Sequence, residues 1–136
     1  MYSVEVNNKG TTIFKVKARE NGMEVEPLGK GFSPAEVLLA SLGSCVGYFV
    51  KRYIETAKLG ITDFSVKLES DFVREKKMTL LGMRERPLSM RKIKVRIDLK
   101  GAQIDPQRKE ALLKFVMHCP IKATLEEPPE IDLALL

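Results

Sequence analysis

Two cysteines, Cys45 and Cys119, carry the bond-making chemistry for which this sequence can be read. Cys45 closes the stretch Ser41-Leu42-Gly43-Ser44-Cys45, and Cys119 sits in His118-Cys119-Pro120. A free cysteine often only fills space in a core. Three details argue for more here. Gly43 falls inside a helical pattern, where it costs about 1 kcal/mol relative to Ala and permits close approach of another helix, a backbone or a substrate. Ser41, Gly43, Ser44 and Gly47 make the surroundings of Cys45 small-sided. Both cysteines also fall on predicted helices that must share one core. A thiol pair that meets in space can cycle between dithiol and disulfide, one sulfur attacking and the other resolving.

Such a thiolate needs stabilisation. Cys45 lies about three turns into its helix, beyond the reach of the N-terminal dipole. A cation must therefore act on it, and Lys9, Arg19, Lys30, Arg74, Arg84, Arg86 and Arg91 are all candidates by charge. Glu36, nine residues before Cys45, reads as half of a capping box with Ser33. It also reads as a carboxylate that orients the activating cation or moves a proton near the thiol. His118 reads as a packing or capping residue beside Cys119. With one His and two Cys, no zinc site of the usual ligand count can be built from one chain. No glycine-rich phosphate loop and no GxSxG elbow occurs.

The elements that must position these residues follow from periodicity. Tyr2, Val4 and Val6, then Phe14, Val16 and Ala18, then Met23 and Val25 alternate with polar residues. Turn signals at Asn8-Lys9-Gly10 and Glu20-Asn21-Gly22 make this a three-stranded meander. Ser33-Pro34-Ala35-Glu36 opens a helix that runs to about Lys58 and stops at Gly60. Its first half is apolar nearly all round. In its second half Tyr53, Ile54 and Ala57 face inward, with Lys51, Arg52, Glu55 and Lys58 in water. Phe64, Val66, Leu68 and Phe72 define one long strand, and Ile93, Val95, Ile97 and Leu99 its partner. Between them, Arg74 to Arg91 reads as irregular. Asp105-Pro106 starts a second helix with Leu112, Leu113, Phe115, Val116 and Met117 toward the core, limited by Pro120. Short strands around Ile121–Leu125 and Ile131–Leu135 would finish the chain. The prediction is a single α+β domain over 1–136, in the order β-β-β-α-β-β-α-β-β.

Length and charge narrow the function classes. At 136 residues, 44% hydrophobic and 30% charged, the composition is that of one globular domain. Two cysteines exclude a disulfide-stapled scaffold. The start lacks a basic segment followed by an apolar one, so no signal peptide and a cytoplasmic location are expected. The apolar run Val37–Val50 would span about 21 Å as a helix, short of the ~30 Å hydrocarbon core. No membrane partner is expected from it. From Arg74 to Lys100, ten Lys+Arg stand against three Asp+Glu, a net +7 within a chain of net +5. A nucleic-acid platform would interleave aromatics with these charges; there are none from Val73 to Lys100, which counts against nucleic acid. A helix apolar on every side also needs more cover than one small sheet, which predicts a homodimer.

The stretch Gly31 to Cys45, GFSPAEVLLASLGSC, resembles the first cysteine motif of the OsmC/Ohr family, G-x-S/N-P-x-E-x-L-x-x-x-x-G-x-C. Cys119-Pro120 resembles the family's second cysteine in its CP dipeptide, and Arg86-Pro87 through Ile93-Lys94-Val95 to Gly101 is similar to the strand after the central excursion. The resemblance implies an intertwined homodimer whose central helices are enclosed by sheets from both subunits. It implies thiol-dependent reduction of organic hydroperoxides, with Cys45 as the peroxidatic thiolate and Cys119 as the resolving thiol. No bound cofactor is implied, only an external dithiol reductant of the dihydrolipoyl type. In the hydroperoxide-resistance branch the catalytic Glu directly follows the Pro. Here Ala35 stands there and Glu36 is one residue on, about 100° round the helix, as in the short OsmC-like branch. The family's activating Arg lies in the first hairpin turn, where this chain has Asn8-Lys9-Gly10; Lys9 or Arg19 would have to substitute, and Lys would lack the planar two-pronged contact of Arg. The alternative is a module of the same fold that binds a small hydrophobic ligand or senses redox state, with weak or no peroxidase activity.

Overall fold

A computed structural model describes residues 1–74, 76–85 and 87–136. Of the candidate cations, Arg86 and the side chain of Arg84 lie outside the described residues. The chain divides into two compact units, Met1–Ser41 and Leu42–Leu136.

The first unit holds an antiparallel meander of β1 (Glu5–Asn7), β2 (Phe14–Ala18) and β3 (Asn21–Val25). The Asn8 side chain organises the first turn. It donates to the carbonyls of Thr11 and Ile13 and accepts from the Gly10 N–H, as Asn does in turns. The second turn differs from the sequence expectation. Ala18 pairs with Asn21, so the turn residues are Arg19 and Glu20, while Asn21 and Gly22 belong to β3. Arg19 has φ 58°, a left-handed conformation that hairpin turns of this length usually assign to Gly or Asn. Val25 is buried, whereas Val4, Val6 and Met23 are exposed, so the inward faces expected of the first and third strands are largely uncovered.

Helix α1 (Pro34–Thr56) begins on the expected capping box. The Glu36 N–H donates to Ser33 Oγ at 3.2 Å, and the Ser33 N–H donates to Glu36 Oε1 at 3.0 Å. Its end shows a different stop from the one expected. Lys58, at φ 52°, is the left-handed residue that closes the helix. The Leu59 N–H reaches the Ile54 carbonyl at 3.1 Å and the Lys58 N–H reaches that of Glu55 at 3.2 Å, the paired bonds of a Schellman motif. At 23 residues α1 is long and apolar enough to cross a membrane by length and composition, beyond the fourteen-residue run considered above.

In the second unit, Leu42, Val46, Val50 and Ile54 form a buried stripe on α1 at i, i+4 spacing. It packs with Leu112, Val116 and Cys119, flanked by the inward residues of a two-stranded sheet, β4 (Ser65–Glu69) and β9 (Lys94–Asp98). Val66 lies opposite Ile97 and Leu68 opposite Val95, so one sheet face covers α1, as the alternation predicts. Gly43 explains how closely: a Cβ there would lie 2.6 Å from Leu68 Cδ1.

The long strand expected through Phe72 breaks after Glu69. The chain re-pairs as β5 (Phe72–Val73) with β8 (Ser89–Met90), and Phe72 is exposed. The excursion expected to be irregular contains a hairpin of β6 (Lys76–Thr79) and β7 (Gly82–Glu85).

Helix α2 (Pro106–Val116) is capped by Asp105 Oδ1, which accepts from the Arg108 N–H at 2.8 Å. Arg108 Nη1 also donates to the Ala57 carbonyl at 3.3 Å, tying the start of α2 to the end of α1. Phe115 packs edge-on against Phe49 with centroids 5.5 Å apart. Leu113 and Met117 are exposed rather than in the core, because they lie round the helix from the buried Leu112–Val116 pair. His118 is exposed as well, so it is not a packing residue.

The two final strands do not form. Residues Pro120–Glu126 are a third helix, α3, and no regular element follows it. Pro120 ends nothing; it occupies the first position of α3, where its missing N–H costs little. The fold is therefore α+β with three helices and antiparallel sheets, but the strand order expected from the sequence is not the one observed.

Candidate functional site

The fold brings Cys45 and Cys119 together. Cys45 is half-buried on α1, one residue before the buried Val46, and Cys119 is fully buried. Cys45 packs against the core cluster that holds Cys119, and the two thiols are close enough for Cys119 to act on the Cys45 pKa. Cys119 is there because α2 ends in a tightened turn. The His118 N–H reaches the Phe115 carbonyl and the Cys119 N–H reaches that of Val116, which turns the chain back into the core before Pro120 starts α3.

Backbone N–H groups from the start of α3 also act on both sulfurs. Cys119 is its N-cap, and Cys119 Sγ accepts from the Lys122 N–H at 3.5 Å. The Ile121 N–H lies near enough to the Cys45 sulfur to favour its thiolate. Expecting a strand at Ile121–Leu125 hid these two amides. The available signal was the order Cys-Pro: a side chain with an acceptor atom followed by Pro is the pattern of N-cap and first helical position, although sulfur is a weaker acceptor than the usual cap oxygens.

Burial is the largest influence on the Cys45 thiol and pushes its pKa up. The neighbouring Cys119 thiol adds to this, while the Ile121 N–H favours the thiolate. Among the described residues, none of these influences is a cation. These surroundings therefore favour the protonated form of the Cys45 thiol.

Glu36 sits in the first turn of α1. The Ser33 backbone N–H, and then the Ser33 hydroxyl, hold its carboxyl below the ordinary carboxylate range, and it is engaged in the capping box. Lys9 is exposed in the first turn of the meander and Arg19 in the second. A surface cavity of about 270 Å³ in the second unit is lined by Glu69, Asp71, Arg91, Lys92 and Lys94 among others. Neither cysteine is among its lining residues.

An α+β protein whose two thiols meet beside the start of a short helix belongs to the class of dithiol proteins. Comparison makes the class specific. The family model described as OsmC-like protein matches residues 27–134, and this chain belongs to that family. Among curated protein sequences none matches the chain. Solved structures do. An OsmC-like protein from Mycoplasma pneumoniae is similar with a TM-score of 0.73 at 14% identity, covering 94% of this chain and 89% of that one. A hypothetical protein from Aquifex aeolicus VF5 aligns with a TM-score of 0.71 at 18% identity, covering 96% and 90%. The organic hydroperoxide resistance protein OsmC from Legionella pneumophila aligns with a TM-score of 0.60 at 14% identity, covering 92% and 88%. At these identities the likeness is one of fold.

Proposed function

We propose that this protein is a thiol-dependent peroxidase that reduces organic hydroperoxides in oxidative stress defence. The observation that carries the reading is the proximity of the Cys45 and Cys119 thiols. The Cys45 thiolate attacks the distal peroxide oxygen of ROOH and breaks the O–O bond, forming a sulfenic acid and releasing ROH after protonation. The Cys119 thiolate then attacks the Cys45 sulfur, water leaves, and a disulfide remains. An external dithiol of the dihydrolipoyl type returns the pair to the reduced state and is itself oxidised to a disulfide.

The first step needs a cation, because burial alone opposes the thiolate. Lys9 and Arg19 are the candidates, and Arg19 is favoured. It holds a left-handed turn position that an arginine occupies at a cost, and strain of this kind concentrates at functional residues. The working unit in this proposal is a homodimer. Leu113, Met117, Tyr48 and Leu38 are exposed on the helices of the single chain, and a second copy would cover them. A cytoplasmic setting suits a thiol pair that must be reset by reduction.

The deciding experiment is consumption of cumene hydroperoxide with dihydrolipoate as reductant, by the wild type and by Cys45→Ser. Turnover by the wild type alone supports the peroxidase; equal rates, or none for either, remove it. Sedimentation equilibrium tests the dimer. The raised Cys45 pKa favours a second reading, a small-ligand-binding or redox-sensing module. Retention of a hydrophobic ligand in native mass spectrometry without peroxide consumption would select it.

A further inference from the structure

The hairpin β6–β7 is amphipathic along its length. In its register Met78 pairs with Met83, Thr79 with Gly82, and Lys77 with Arg84. The turn residues are Leu80 and Leu81, which are 106% and 84% exposed. Met78 and Met83 are exposed beside them. The tip thus presents four large apolar side chains to water, above a base where Lys77 pairs with Arg84 and Lys76 with Glu85, three cationic residues to one carboxylate.

Part of the tip's polar backbone is paired within it. The Thr79 hydroxyl donates to the Gly82 carbonyl at 2.8 Å and accepts from the Leu81 N–H at 3.3 Å. Gly82, at φ 112°, takes a backbone conformation closed to other residues. Each amide or carbonyl satisfied within the turn lowers the penalty of entering an apolar medium.

From these observations we infer that the β6–β7 hairpin docks the protein on the surface of an anionic phospholipid bilayer. Met78, Leu80, Leu81 and Met83 enter the headgroup–acyl boundary, and the cationic base sits at the phosphates. The dimensions fit. Three residues of strand separate Lys77 from Leu80, about 10 Å, which matches the 5–10 Å to which interfacial apolar faces sink. The charge fits as well. The segment Arg74–Lys100 is net +7, and each Lys or Arg near an anionic leaflet strengthens attachment. This is attachment to a surface, not passage through it, and it does not depend on the thiol reading.

Co-sedimentation with vesicles tests the inference, using phosphatidylglycerol-containing vesicles against pure phosphatidylcholine vesicles. The wild type and Cys45→Ser should both bind the anionic vesicles, and at least tenfold less well the neutral ones or in about 0.5 M salt, where charges are screened. The double variant Leu80→Ser/Leu81→Ser should lose at least tenfold in anionic-vesicle binding with an unchanged circular dichroism spectrum. Lys76→Glu/Lys77→Glu should lose a similar factor. Failure of the wild type to bind, or binding by the Leu80/Leu81 variant equal to wild type, overturns the inference. So does a Leu80/Leu81 variant that loses self-association instead, because the tip would then be a contact between copies.

Discussion

The Cys45 thiol lies close enough to the Cys119 thiol to be acted on by it, so the middle of α1 and the junction of α2 with α3 meet through two sulfurs. This relationship predicts how oxidation ends. One equivalent of hydroperoxide should consume both free thiols of the wild type and leave no sulfenic acid for dimedone to trap. In Cys119→Ser the same treatment should leave Cys45 as a trappable sulfenic acid. Equal dimedone labelling of the two proteins would show that Cys119 does not resolve Cys45.

The environment of Cys45 also predicts a pH dependence. Burial, and after it the neighbouring Cys119 thiol, favour the protonated thiol. Without an activating cation the thiolate should therefore form only above the ordinary cysteine value of about 8.5. In Cys119→Ser the larger cause, burial, remains. Iodoacetamide alkylation of Cys119→Ser/Arg19→Gly should accelerate with pH and not level off below that value, whereas Cys119→Ser with Arg19 in place should level off on its acid side. Identical profiles would show that Arg19 does not act on Cys45.

Arg19 offers a split between stability and activity. Gly in its place would relieve a left-handed backbone costing about 1–2 kcal/mol, offset by about 0.5–1 kcal/mol of added unfolded-chain freedom. Arg19→Gly should therefore leave Tm unchanged or raise it slightly. If Arg19 is the activating cation, kcat/KM for cumene hydroperoxide should fall at least tenfold in the same protein. Parallel loss of both would assign Arg19 a structural role only.

The capping box of α1 predicts a titration of stability. Ser33→Ala removes the acceptor for the Glu36 N–H and should cost about 1 kcal/mol. Glu36 has its folded-state pKa lowered by Ser33. Its contribution is present above the ordinary carboxylate value and is lost as pH falls through the lowered one. Glu36→Gln should therefore flatten the acid limb of the wild-type Tm profile; an identical limb in both proteins would sink this.

Some of this was legible in the residues and some was not, for identifiable reasons. The sheet face was readable because Val66, Leu68, Val95 and Ile97 alternate strictly with charged residues, and one register satisfies all four. The capping box was readable because Ser33, Pro34 and Glu36 form a local pattern closed within one turn. The end of α1 was misplaced because Lys58, not Gly60, took the left-handed cap; tertiary anchoring of Leu59 and Ile61 in the core outweighed the glycine preference. Alternation at Ile121–Leu125 resembled a strand, but Cys119 and Pro120 together start a helix there. That error concealed the Ile121 and Lys122 amides, which act on the two sulfurs. The meeting of Cys45 and Cys119 itself depends on contacts 74 positions apart in the sequence, which no local pattern encodes.

Gly43 tests whether close packing of the sheet on α1 sets the geometry around Cys45. In Gly43→Ala the gain in helix propensity is about 1 kcal/mol. Against it stands the new Cβ, 2.6 Å from Leu68 Cδ1. That methyl is the end of a flexible side chain and can rotate away, so the two effects nearly cancel and the urea midpoint should move little. Gly43→Val adds branched bulk that rotation of Leu68 cannot clear, and overpacking of this kind costs about 1–3 kcal/mol. The Val variant should therefore lose stability where the Ala variant does not. If both unfold at the wild-type midpoint, Leu68 does not press on α1, and the glycine needs another explanation.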